Sequence, residues 1–148
     1  MLSKTSEYAI RALVFIQLQQ MQNKRPGVIE IAKEIEAPEA FTAKVLQILT
    51  RNSLVQSMKG RGGGFFFKDN ECTLTLFDVI KHTEGDLIFN KCGFGLTQCS
   101  DENPCPLHDK YDAIRDGFLQ IAKAETICSL SQKIISGKAV LNRLVTMN

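Results

Sequence analysis

The stretch Leu54-Val55-Gln56-Ser57-Met58-Lys59-Gly60-Arg61-Gly62-Gly63-Gly64-Phe65-Phe66-Phe67 decides the fold. Two short apolar runs flank a connection made almost wholly of glycine, with Lys59 and Arg61 as its charged side chains. Apolar runs of strand length around a glycine-rich turn predict a β-hairpin. A nucleotide-binding phosphate loop is disfavoured, because no Lys-Ser/Thr pair follows the glycines.

The residues before the hairpin give it a context. Tyr8, Ala9, Ala12, Leu13, Phe15, Ile16 and Leu18 fall at mostly helical spacing over 5–20, and Pro26-Gly27 closes the loop behind them. A short helix is predicted around 28–36, with Ile31, Ala32 and Ile35 on one face. Pro38 suits the first turn of the next helix, which runs to about Asn52. Phe41, Val45, Ile48 and Leu49 are its expected buried stripe. Two short helices joined by a tight turn make a helix-turn-helix, and a hairpin directly after it is a wing. The helix N-terminus would meet base edges in a major groove, and wing cations would suit a narrow minor groove. The candidate DNA contacts are Ala40, Phe41, Thr42, Lys44 and Arg51 on the helix, with Lys59, Arg61, Gly62 and Gly63 on the wing.

Charge follows the same division. Residues 1–68 hold ten Lys/Arg against five Asp/Glu, and residues 69–148 hold eight against eleven. A basic half followed by an acidic half fits a nucleic-acid module joined to a sensing or assembly module. Apolar residues are 44% of the chain, enough for a core. No apolar run approaches bilayer-spanning length, and Met1–Glu7 is not an apolar signal segment. A cytoplasmic protein with no membrane partner is expected. No Ser–His–Asp or Cys–His arrangement is legible, and His82 and His108 are the two histidines, so an enzyme is not expected.

Past the wing, Thr75 and Asp78 read as a capping box opening a helix that fades before Gly85. Residues 90–107 break every periodicity and hold Cys92, Cys99 and Cys105 at C-x6-C-x5-C, with His108 three residues on. Thiolates and imidazole are ligands for iron or zinc. The close C-x2–4-C knuckles of structural zinc sites are missing. Wider spacing on a glycine-containing loop suits a larger cofactor such as an iron–sulfur cluster. A thiol–disulfide switch, a zinc site and plain buried cysteines remain open on spacing alone. Cys72 and Cys128 are assigned to packing. Tyr111, Ile114, Phe118 and Ile121 then mark an amphipathic helix with a narrow seam, suited to pairing with a second helix.

The expected architecture is mainly α with a small β-hairpin. A winged helix-turn-helix DNA-binding domain spans 1–82, and a cysteine-containing sensor loop with a long dimerisation helix spans 83–148.

Tyr8-Ala9-Ile10-Arg11-Ala12, Ile31-Ala32, Leu54-Val55, Gly60-Arg61-Gly62-Gly63-Gly64-Phe65 and Asp78-Val79-Ile80 together resemble IscR- and NsrR-type winged-helix regulators, the Rrf-two family. The resemblance continues through the cysteine loop and the helix after it. It implies a homodimer on a roughly palindromic double-stranded operator, most often as a repressor. It also implies an iron–sulfur cluster, [2Fe–2S] first and [4Fe–4S] second, on Cys92, Cys99, Cys105 and His108. Glu7 of the partner subunit is the alternative fourth ligand. The signal would be redox state, nitric oxide or iron–sulfur supply. In cluster-binding members glutamate and glutamine often stand where this chain has Ala43 and Lys44, so no operator carries over. The alternative is a metal-free regulator of the same fold using a thiol switch or another effector; a zinc-binding regulator or an electron carrier ranks below both.

Overall fold

The computed structural model describes residues 2–70 and 72–144. Among the described residues, six helices and one hairpin follow in order: α1 (Lys4–Gln20), α2 (Val28–Glu34), α3 (Glu39–Arg51), β1 (Gln56–Met58), β2 (Gly64–Phe66), α4 (Leu76–Glu84), α5 (His108–Ala124) and α6 (Ile127–Ile135). Single 3-10 turns lie at Lys68–Asn70 and Leu87–Phe89. The mainly helical class with one two-stranded hairpin is the one the sequence predicts.

α1 is the hub. Its residues Ala9, Ile10, Ala12, Leu13, Val14, Phe15 and Ile16 are all buried, so it is apolar on nearly every side. It packs against α2, α3, α4, α6 and β2. One apolar cluster runs from Ala9 through Val45, Leu49, Val55 and Ile80 to Ala122 and Ile127. Phe89, Ala122 and Ile127, from the segment 83–148, join the same core as α1.

α4 and α6 start in the same way, from one short antiparallel crossing. Thr75 and Thr126 form a bridge, and each opens a capping box, Thr75 with Asp78 and Thr126 with Ser129. The amide of Leu76 donates to the Glu125 carbonyl at 3.0 Å, and that of Ile127 to Leu74 at 2.9 Å. The sequence predicts one long helix after the cysteine loop. That helix is α5, which ends at Glu125 where the backbone turns extended, and a further helix, α6, folds back onto α1.

The far end of α4 is tied to the start of α1. Ser3 caps α1, its hydroxyl donates to Glu84 at 2.8 Å, and its amide reaches the same carboxylate at 3.1 Å. Ser6, fully buried, also bonds Glu84 and lies 2.6 Å from the Thr83 hydroxyl. Burial pushes the Glu84 carboxyl up, but the hydrogen bonds from Ser6 and Ser3 outweigh it and leave it below the ordinary carboxylate value.

Candidate nucleic-acid interface and cysteine loop

α3 buries Thr42, Val45, Leu46 and Leu49, and exposes Ala40, Ala43, Lys44, Gln47 and Arg51 on one face. The buried stripe is therefore rotated from the expected one. Thr42, expected at the DNA, is 0% exposed, and its hydroxyl donates to the Pro38 carbonyl at 2.9 Å. Its role is to close the first turn of α3 from inside the core. Phe41 is half-buried, edge-on to Tyr8 with ring centroids 5.4 Å apart, so it braces α3 against α1 rather than facing outward. Ala40, Lys44 and Arg51 remain on the outward face.

The wing pairs Gln56 with Phe66, Ser57 with Phe65 and Met58 with Gly64. Glycine is required at two of its positions by close approach. A Cβ on Gly63 would lie 2.2 Å from the Met58 carbonyl oxygen, and one on Gly64 would lie 2.3 Å from that of Arg25. Lys59, Arg61 and Gly62 are exposed near the tip. The backbone of Gly64–Phe65 is fixed to the α1–α2 loop, the Phe65 amide donating to Pro26 at 2.9 Å. That anchorage brings Lys24 and Arg25 into one depression with Gly62 and Gly63. The Arg25 guanidinium lies 3.9 Å over the Phe66 ring. Lys24 and Arg25 are exposed cations that sequence reasoning passed over as loop; their adjacency just before Pro26-Gly27 was the available signal.

The cysteine loop lies against α5. Gly93 makes this possible, since a Cβ there would stand 2.3 Å from the Tyr111 ring. Cys92 is buried, and Cys99 and Cys105 are partly so; all three are free thiols. Burial pushes the Cys92 thiol up. The amides of Leu96 and Phe94, a hydrogen bond with Cys105 and the amide of Gly95 outweigh it and hold the thiol below its usual range. Cys99 Sγ lies 3.3 Å from Nδ1 of His108, the first residue of α5. The other ring nitrogen, Nε2, faces Asp101 at 2.8 Å. The four predicted ligands thus stand as two pairs, Cys92 with Cys105 and Cys99 with His108. Among the described residues, no three Cys, His, Asp or Glu side chains converge closely enough for a single metal ion.

Two further residues belong to this site and carried no motif. Asp101 orients His108, as carboxylates orient metal-bound imidazoles. Arg115 is 8% exposed and donates to the Lys91 carbonyl at 3.0 Å and to Asp112. Its pKa is raised, first by a hydrogen bond with Cys99. A buried cation therefore lies among the thiols. His108 and Arg115 are seven residues apart, two turns along one face of α5. Glu7, the alternative ligand, pairs with Lys4 of its own chain at 3.2 Å.

The expected seam on α5 divides. Phe118 turns inward and stacks on Phe89 at 5.5 Å, and Tyr111 lies under Gly93. Leu107, Ile114 and Ile121 are 45%, 59% and 57% exposed at strict seven-residue spacing. Gly117, between the last two, has open space beside it. No helix among the described residues is long and apolar enough to cross a membrane.

Comparison with known proteins agrees with this architecture. The family described as "Iron-dependent Transcriptional regulator" (Rrf2) matches residues 2–133. An HTH-type transcriptional regulator of Aquifex aeolicus is 31% identical over 130 residues, covering 86% of this chain and 89% of that protein. The transcriptional regulator NsrR of Oceanobacillus iheyensis is 25% identical, covering 85% and 86%. The structure of CymR, the global cysteine regulator of B. subtilis, superposes with a TM-score of 0.72 at 17% identity, covering 89% of this chain and 96% of that one. That likeness establishes the shared winged-helix fold. With a family match over nearly the whole chain, this protein belongs to the Rrf2 family of transcriptional regulators, which are not enzymes.

Proposed function

We propose that the chain is a cytoplasmic, homodimeric repressor whose operator affinity is set by an iron–sulfur cluster on Cys92, Cys99, Cys105 and His108. The observation that carries this reading is the meeting of Cys99 and His108 at the first turn of α5, with Cys92 and Cys105 paired in the same loop. Thiolates and imidazole are the right donors for such a cluster. The buried Arg115 offsets their negative charge. The iron dependence in the family's description points the same way. A [2Fe–2S] cluster suits three thiolates and one imidazole. A [4Fe–4S] cluster is the second choice of type, and Glu7 of the partner subunit is the alternative fourth ligand.

The cluster, when bound, supplies a redox-labile link among four side chains. The chain's own residues convert a change there into a change of DNA affinity. Arg115 fastens the loop backbone at Lys91 to α5, and Phe118 fastens α5 to Phe89 behind α4. The opposite face of α5, with Leu107, Ile114 and Ile121, is the surface for a second copy. The loop's order thus bears on how the two reading heads are spaced. Ala40, Lys44 and Arg51 would face the major groove, with Lys59, Arg61, Gly62 and Gly63 at the flanking backbone or minor groove. Such coupling requires the two states of the loop to bind DNA with different affinity.

The test is anaerobic purification, visible spectroscopy with iron and sulfide assays, and selection of an operator from random DNA by cluster-loaded and apo protein at fixed salt. Iron and sulfide in equal amounts, with a difference in affinity, are expected. Colourless protein that resists reconstitution sinks the reading. The second reading is a metal-free regulator answering through its thiols. It is favoured by three free thiols in one loop, with no three ligating side chains among the described residues converging on one metal point. Unchanged DNA binding of apo and reconstituted protein, with a response to thiol oxidation, selects it.

A further inference from the structure

Cys72 and Cys128 lie outside the cysteine loop, and the structure joins them in a disulfide across 56 residues, with Cα atoms 5.0 Å apart. They flank the crossing from which α4 and α6 start. The Cys128 amide donates to the Cys72 carbonyl at 2.8 Å, and two further backbone bonds link 74–76 to 125–127. These bonds need no sulfur–sulfur bond, so the crossing holds the two thiols side by side in the reduced chain as well. The Cα separation falls within the range a disulfide spans without backbone movement. Cys72 is 7% exposed and Cys128 partly exposed. Cys128 sits in the first turn of nine-residue α6. In a reducing compartment a bond of this kind is formed and broken rather than permanent.

We propose that Cys72 and Cys128 are a second, reversible thiol–disulfide centre, independent of the cysteine loop, whose oxidant is a peroxide. The Cys128 thiolate attacks one peroxide oxygen and the O–O bond breaks. With hydrogen peroxide, one water leaves and Cys128 becomes a sulfenic acid. The Cys72 sulfur then attacks the Cys128 sulfur, the S–O bond breaks, and a second water leaves. Two thiols and one hydrogen peroxide give one disulfide and two waters, and two electrons pass from sulfur to oxygen. A dithiol reverses the step by exchange. Cys128, the more exposed partner, attacks, and buried Cys72 resolves.

The position of the bond states what it does. Cys72 closely follows the turn Lys68–Asn70 that leaves the wing, and Cys128 opens the helix that follows α5. Gln20 of α1 already grips the same strand exit, bonding the Phe67 amide at 2.6 Å and its carbonyl at 2.9 Å. Oxidation therefore locks the wing's exit to the start of α6, a tie made of residues outside both the candidate DNA contacts and the loop.

The full chain is reduced with dithiothreitol, desalted without oxygen, treated with one equivalent of hydrogen peroxide, blocked with iodoacetamide and digested with trypsin without reduction. Mass spectrometry is expected to find peptide 69–81 linked to 124–133, and to lose that species after dithiothreitol. In the Cys72→Ser variant, dimedone should trap Cys128 as the sulfenic acid. Hydrogen exchange over 54–68 should slow on oxidation, and the thermal midpoint should rise by roughly 10 °C, with neither change in Cys128→Ser. The proposal is overturned if both cysteines remain fully alkylatable after peroxide, or if either pairs with Cys92, Cys99 or Cys105. It is equally overturned if the bond resists dithiothreitol in the folded protein, which would make it a static staple. The mapping on the unsubstituted chain decides even if a variant fails to fold, and it gives the same answer whether or not the loop holds a cluster.

Discussion

Cys99 and His108 face one another at 3.3 Å across a loop that contains neither helix nor strand, and the second ring nitrogen of His108 is already occupied by Asp101. The imidazole is thus aimed before any cofactor arrives. Asp101 is itself highly exposed, so its exchange for asparagine leaves the fold alone. Asp101→Asn is expected to speed loss of iron to a chelator by about tenfold, the lower end of what losing such an orienting partner costs. Equal rates of iron loss in the two proteins would remove Asp101 from the site.

The exposed row Leu107, Ile114 and Ile121 gives a prediction for assembly. Ile114 is 59% exposed, so a charge there disturbs no packing within the chain. Ile114→Asp is expected to give a folded monomer by analytical ultracentrifugation, with unchanged far-ultraviolet dichroism. Two half-sites can no longer be held together, so operator affinity should fall by at least a hundredfold. A dimeric Ile114→Asp protein would move the interface elsewhere.

On α3, neighbouring positions separate reading from packing. Lys44→Ala should weaken DNA binding and reduce its salt slope by about one if it meets a phosphate, and Arg61→Ala should do the same from the wing. Thr42→Val should leave the salt slope unchanged. It should instead cost about 1 kcal/mol in urea unfolding, since the buried bond to the Pro38 carbonyl is lost. The reverse pattern would mean that the outward face of α3 does not meet DNA.

Glu84 predicts an acid sensitivity. Its folded pKa lies below the ordinary carboxylate value, so its contribution to stability is complete above that value and is lost as pH falls through the folded one. The loss loosens the joint between the start of α1 and the end of α4. Glu84→Gln should be less stable than the parent chain at neutral pH and converge with it in strong acid. Thermal midpoints from pH 7 down to pH 3 check this; parallel curves would count against it.

Much of this was legible in the sequence, and the limits have particular causes. The wing was legible because Gly63 and Gly64 meet backbone oxygens where no side chain fits. The start of α4 was legible because Thr75 and Asp78 make a local, reciprocal pair of bonds. The face of α3 was misjudged because a threonine at 42 reads as surface, while its bond to the Pro38 carbonyl lets it sit in the core, and Phe41, read both as core and as a DNA contact, packs on Tyr8 instead of facing outward. α6 was missed because no glycine or proline marks the break, which rests on the extended backbone at Glu125 and Thr126. The three loop cysteines and His108 could be named from spacing. Asp101 and Arg115 could not, since one is an exposed loop carboxylate and the other a charge buried by the loop that covers it. The pairing of Cys72 with Cys128 depends on a crossing between segments 56 residues apart, which no local rule anticipates.

The return of α6 onto α1 has a consequence for how the protein is made. The hub helix precedes α6 by more than a hundred residues, so the surface it offers to α6 stays wet until Ile127 and the turn after it have been synthesised. The packing around α1 is therefore unfinished while the cysteine loop is still being synthesised. A chain interrupted before that point presents an apolar flank to chaperones and proteases instead of a competent binding surface.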